Sequence, residues 1–370
     1  MIKYFDRRLK DEWQSALVER CYQLCPRPVE IFVSYVTPAT QAIKAHFLNK
    51  DLQFSAPNVI IYVQDILSIE KNFDLLNIIE DCVCKHPETN FVLITDFDNL
   101  SFQHANLQHI SVPGQMLYQR DRYINVQPIQ KNFTSQKTTL CLNRHHKTFR
   151  SAAVCMLYGL EINRNAYISF LETTENQNFD QEIDWFFGTD QKNIKKIWEH
   201  GFYQFKESNS SVSKNFEIYK IKHHPIGLDN FLNFDVKLRP MFENSFVEII
   251  SETLFYENTV FLTEKTYHSL LGGNIPIWNS TQGTVDFVRN LGFDVFDDII
   301  DHSYSNEENI VDRVYKSIYN NKKILEDSNF AKQTWLSVQD RILSNFEKAK
   351  NFSTQADYDF DQAFAKIRWK

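Results

Sequence analysis

Apolar runs of strand length alternate with amphipathic stretches of helix length along this chain, and the alternation stops once and starts again. Residues 29–36 are β-branched and aromatic and end before Pro38. Asn58-Val-Ile-Ile-Tyr-Val63 and Asn90-Phe-Val-Leu-Ile-Thr95 are continuous apolar runs, the pattern of strands covered on both faces. Between them Phe73, Leu75, Leu76, Ile78, Ile79 and Val83 recur at helical spacing. Residues 40–48 read as a shorter helix and 109–112 as a fourth strand. Strands separated by helices need crossover connections, which give a parallel sheet with helices on its faces.

Residues 128–137 are polar and aperiodic, and they read as a linker. The pattern then restarts with a strand at 138–143, a basic turn, a helix at 150–158 stopped by Gly159, and a strand at 166–170. A helix at 191–200, a strand at 245–252, a helix at 263–271, a strand at 275–278 and a helix at 281–290 follow. Helices are expected at 309–317, 332–348 and 357–370. A chain of 370 residues exceeds one ordinary core. The expectation is therefore two α/β domains of the doubly wound, Rossmann-like kind, 1–130 and 131–350, with a C-terminal helix at 351–370 able to pack back on the first. Ligands of such sheets bind beyond the carboxyl ends of the strands, so two facing sets of strand ends would form a cleft.

Charge and cysteine usage narrow the function. Forty basic residues against 47 acidic ones give −7 at neutral pH, which weighs against a protein that grips duplex nucleic acid through its phosphates. Six cysteines are too few for a disulfide scaffold. Cys21-x3-Cys25 and Cys82-x-Cys84 lack zinc-ribbon spacing. No apolar stretch reaches membrane-spanning length and no apolar signal core opens the chain, so a reducing, cytoplasmic setting is expected. Neither GxGxxG nor GxxxxGK[ST] occurs.

Three clusters carry the chemistry. In the first, a strand leads through a loop into a helix opened by Thr263-Glu264-Lys265. A helix N-terminus offers free N–H groups and a positive dipole end to a phosphate. Lys265 adds a cation and Glu264 an acceptor for a ribose diol. The same three residues also fit an ordinary threonine cap with an acidic first turn. In the second, Asn143-Arg-His-His-Lys-Thr-Phe-Arg150 is a basic turn between strand and helix, suited to diphosphate oxygens through Arg144 and Arg150. It equally fits a solvated basic turn, and His145-His146 lacks the carboxylate partner of a metal pair. The third is Asp96-Phe97-Asp98 behind a buried strand, a DxD pattern that can hold a divalent ion or simply form a turn.

Phe261-Leu262-Thr263-Glu264-Lys265 followed by Ile275-Pro276-Ile277 resembles the donor-binding motif of the α-1,3-fucosyltransferase family. Phe287 to Phe296 with Asp301-His-Ser-Tyr304 also resembles glycosyltransferase-like proteins of bacteriophages and large viruses, as does the turn Asn143–Arg150. The resemblance covers residues 245–305. It implies a GT-B fold, a nucleotide diphosphate-sugar as co-substrate with no other cofactor, and inverting transfer without a metal. By it, Glu264 would bind the donor ribose, Lys265 a phosphate, and Phe261 would stand beside the base. Ser251 and Glu252 would stand near the family's Phe-Glu-Asn, whose letters recur too far upstream at Phe242-Glu-Asn244. The family's glycine after Ile-Pro-Ile is replaced by Asn279-Ser280.

Inverting transfer needs a general base for the acceptor hydroxyl. Asp65, Asp96 and Asp98 each follow a strand of the first half, and the sequence does not choose among them. The acceptor would be a glycan or a hydroxylated base in phage DNA. Two other readings remain open at this stage: a non-catalytic nucleotide- or sugar-binding module, and a metal-dependent transferase using Asp96 and Asp98.

Overall fold

The computed structural model describes residues 2–4, 12–34, 44–49, 51–63, 69–95, 100, 102–112, 126–135, 137–143, 147–170, 191–210, 239–253, 255 and 260–370. These form an α/β protein with two parallel sheets. The chain divides into two compact units, one of Met1–Asp121, Thr259–Leu262 and Asn351–Lys370, the other of Arg122–Asn258 and Thr263–Lys350.

The first unit holds β1 (Ile2–Tyr4), β2 (Val29–Ser34), β3 (Asn58–Val63), β4 (Asn90–Thr95) and β5 (Leu107–Ser111), all parallel and in chain order across the sheet. Its helices include α1 (Glu12–Leu24) and α2 (Ile69–Lys85). All six residues of β3 and of β4 are buried, as their unbroken apolar sequence requires. Strand β1 and helix α1 were not legible locally, because three residues carry no period and α1 is only weakly amphipathic. Several buried polar groups here are bonded to the C-terminal segment. Asn58 exchanges two 3.0 Å hydrogen bonds with the backbone of Lys370, and Asn90 Nδ2 donates to Arg368 O at 2.7 Å. Arg20 grips Asp361 with two bonds of 2.6 and 2.5 Å.

The second unit holds β6 (Thr139–Asn143), β7 (Ala166–Phe170), β8 (Val247–Ser251) and β9 (Ile275–Asn279), parallel in the order β7-β6-β8-β9. Strand order therefore reverses between β6 and β8. These two strands pair only at Thr139–Val247 and Leu140–Glu248, whereas β8 and β9 pair along five residues to Ser251–Asn279. Helix α3 (Thr148–Gly159) follows β6, and α4 (Lys192–Ser210) and α5 (Arg239–Glu243) lie between β7 and β8. A Cβ on Gly201 would stand 1.8 Å from the carbonyl oxygen of Cys155, so α3 and α4 touch backbone to backbone there. Helices α6 (Glu264–Gly272), α7 (Thr284–Asn290), α8 (Ile310–Tyr319), α9 (Lys322–Glu326), α10 (Ser328–Ser337) and α11 (Gln339–Ala365) complete the chain.

The last two helices differ from the expected pair at 332–348 and 357–370. Asp327 accepts from the N–H groups of Asn329 and Phe330 and starts α10 earlier, and Val338 breaks it before α11 runs on unbroken. Among the described residues no helix is long and apolar enough to cross a membrane.

Candidate functional site at the carboxyl edge of the second sheet

Asn143, Ser251 and Asn279 are the last residues of β6, β8 and β9 and are at most 1% exposed. Each lies two residues beyond a core residue, Cys141, Ile249 or Ile277, so all three face the same side of the sheet. Among the described residues the Ser251 hydroxyl and both polar atoms of the Asn279 amide have no hydrogen-bond partner. Burying such a group unpaired costs about 1–3 kcal/mol, and two such residues stand side by side at this edge.

The opposite face of the same edge is fully bonded. Glu252 is 0% exposed and accepts from Thr263 N (3.2 Å), from Thr263 Oγ1, and from Thr266 Oγ1 at 2.6 Å. Trp278 Nε1 donates to Thr266 Oγ1 at 3.0 Å, and Trp278 N to the Tyr304 hydroxyl at 3.1 Å. Thr263 is the N-cap of α6 in extended geometry, and its hydroxyl accepts from Lys265 N. A carboxylate against a helix N-terminus is favoured by the dipole. Glu252 thereby fixes where α6 begins, and its two oxygens are spent on Thr263 and Thr266.

Three cations converge on Ser251–Thr253. Arg150, 3% exposed, donates from Nη2 to the carbonyls of Ser251 (3.4 Å) and Glu252 (3.1 Å). Lys147 Nζ donates to Thr253 O at 2.7 Å. Lys265 Nζ bonds Thr263 Oγ1 at 3.0 Å, Glu264 Oε1 at 3.1 Å and Thr253 Oγ1 at 3.3 Å. Burial lowers the Arg150 pKa while Glu252 and Glu264 oppose the shift, and a guanidinium stays charged throughout the accessible pH range. Burial alone would raise the Glu264 carboxyl, but Lys265 and His268 outweigh it and hold it at about 2. Burial pushes His268 down to about 4, so its imidazole is neutral at pH 7. Glu264 and Lys265 keep 34% and 21% of their side-chain surface open, so they are the reachable members of the cluster.

The structure thus brings together Asn143, Arg150, Ser251, Glu252, Thr263, Glu264 and Lys265. Phe261 is buried. Asp65, Asp96, Asp98, Arg144, His145 and His146 lie outside the described residues. Among the described residues no three His, Cys, Asp or Glu side chains gather as a metal site. A cavity of about 570 Å³ lies elsewhere in the unit, lined by Asp286, Arg289, Asp297 and His302 among others, and none of the residues expected to bind a donor lines it. Sequence reasoning missed two members of the edge. Asn279 was visible only as the residue replacing a glycine, and Lys147 only as one charge in a basic turn. Comparison with protein-family models, with curated proteins and with solved structures gives no match.

Proposed function

We infer that the second unit binds a nucleoside diphosphate-sugar at the carboxyl edge of its sheet, and that the protein transfers the sugar to an acceptor hydroxyl. The observation that carries this reading is a coincidence of features at the one reversal of strand order among the described strands. A helix N-terminus, three cations and buried unpartnered polar side chains meet there. A reversal is where open α/β sheets bind ligands, and α6 supplies N–H groups and a positive dipole end for phosphate.

In this reading Lys265 exchanges Thr253 and Thr263 for a phosphate oxygen. Glu264, ionised throughout the neutral range, accepts from the ribose diol. Lys147 and Arg150 keep the strand end positive beneath the leaving diphosphate, where negative charge grows during transfer. The GT-B architecture, inversion and independence from metal belong to the same proposal, as does a general base among Asp65, Asp96 and Asp98. The acceptor is a glycan or a hydroxylated nucleobase.

The test is a thermal-shift and turnover screen with UDP-, GDP- and CDP-sugars on the parent, Glu264→Gln and Lys265→Ala proteins. A ligand bound by the native state alone raises its melting temperature. Both variants should remain folded without ligand, with a melting temperature lowered by the loss of the Glu264–Lys265 pair or of the Lys265 bonds to Thr253 and Thr263. Donor affinity should fall about 10- to 100-fold, the worth of one charged hydrogen bond. Variants that unfold yet still bind donor would reduce Thr263-Glu264-Lys265 to a helix cap. Activity that dies with EDTA and returns with Mn²⁺ would move the chemistry to Asp96 and Asp98.

A further inference from the structure

A second cluster lies on the first unit, far in sequence from the donor residues. Cys84 sits in the last turn of α2 and is exposed. Its Sγ lies 3.7 Å from Nδ1 and 3.8 Å from Nε2 of His104. His104 Nε2 lies 3.9 Å from Oε1 of Glu80, one helical turn before Cys84 on the same face. A thiol, an imidazole and a carboxylate thus lie together, the residue types that activate nucleophiles on unrelated folds.

The loop bearing His104 is held in place. Asn106 Nδ2 donates to the carbonyls of Val83 (3.3 Å), His86 (3.2 Å) and Thr89 (3.1 Å), and Leu107 N donates to His104 O at 3.1 Å. The backbone that carries His104 is therefore held against the end of α2 by contacts independent of the thiol. The other cysteines differ. Cys21, Cys82, Cys141 and Cys155 are buried, and Cys25 is part-buried with its thiol donating to Arg27 O.

We propose that Cys84, His104 and Glu80 form a nucleophilic site at which Cys84 exchanges with low-molecular-weight disulfides. The Cys84 proton passes to a ring nitrogen of His104, and Glu80 faces the resulting imidazolium. Sγ attacks one sulfur of the disulfide and forms a new S–S bond. The original S–S bond breaks, and its other half leaves as a thiolate that takes up the proton. The protein then carries a mixed disulfide at Cys84, and a second thiol reverses the reaction by the same path. No net oxidant is needed beyond the disulfide itself.

Oxidised glutathione added to the folded full-length protein, followed by peptide mass mapping over time, tests this. Cys84 should be modified first, at least about 10-fold faster than any other cysteine. His104→Gln should slow Cys84 about 10-fold, below the full range for a general base because the contact is loose. Glu80→Gln, a change on an exposed helix face, should slow it about 3-fold, a small orienting effect. In denaturant all three proteins should react alike, which separates positioning from simple exposure. Preferential modification of Cys25, or a folded His104→Gln or Glu80→Gln protein that reacts at the parent rate, would overturn the proposal.

Discussion

The two sheets are built from similar strands and spend their buried polar groups differently. In the first, strand order follows the chain from β1 to β5, and several polar groups of its strands are paired. Thr95 Oγ1 lies 2.8 Å from His109 Nε2, Asn58 and Asn90 bind the C-terminal backbone, and Ser55 donates twice to Glu30. In the second, order reverses at β6 and β8, the two strands stop pairing after Leu140 and Glu248, and Ser251 and Asn279 end buried without partners. Crossovers on either side of a reversal leave the strand ends uncovered by one another.

The most severe way to test that contrast is to remove Glu252. Glu252→Ala leaves Thr263 and Thr266 without their acceptor. A loss of about 2–3 kcal/mol is expected from leaving these buried donors unpaired, read as a lower midpoint in urea unfolding. Glu252→Gln, which keeps one acceptor oxygen, should lose less. An unchanged midpoint in Glu252→Ala would mean that α6 is positioned by packing alone.

A pair of matched substitutions sharpens the comparison further. Asn90→Leu discards a satisfied bond and should destabilise by about 1 kcal/mol. Asn279→Leu discards only unsatisfied atoms and should leave the ligand-free protein as stable as the parent, or up to about 1–2 kcal/mol more stable. It should also weaken nucleotide-sugar binding. Calorimetry of both proteins decides the signs, and equal losses would erase the distinction between the two edges.

A further contrast is in acid. His109 of the first unit is pushed down from 6.5 to about 4 by burial. The unfolded imidazole takes a proton below about pH 6.5 and the folded one resists until about 4, so stability is lost as pH falls through that window. His268 of the second unit gives the same window, and Glu264, held at about 2 against 4.5, adds loss below it. His109→Gln should flatten the upper window by no more than about 1.4 kcal/mol per pH unit, in urea titrations from pH 7 to 4. An unchanged slope would place the acid sensitivity in the second unit.

Much of the fold was legible because burial leaves a local record. The unbroken apolar runs at 58–63 and 90–95 could only be covered strands, and both are entirely buried. Thr263 announced a helix start because a cap acts on N–H groups two or three residues away. The sheet of the second unit was readable as strands but not as an order. Part of the site was readable too, since Glu264 and Lys265 open a helix wherever that helix lies. Asn279 was not, because an asparagine at a strand end looks the same whether or not it finds a partner.

The sequence by itself determined the α/β class, the strands β2 to β9 within a residue or two, and the helix start at Thr263, all properties set by neighbours a few positions apart. Tertiary structure decided what acts over distance. It placed β8 beside β6 rather than β7, brought Arg150 to the carbonyls of Ser251 and Glu252, and laid His104 against Cys84 twenty residues away. Strand order is chosen by crossovers and by how whole layers cover one another. That choice changes which side chains meet without changing any local pattern of polar and apolar residues.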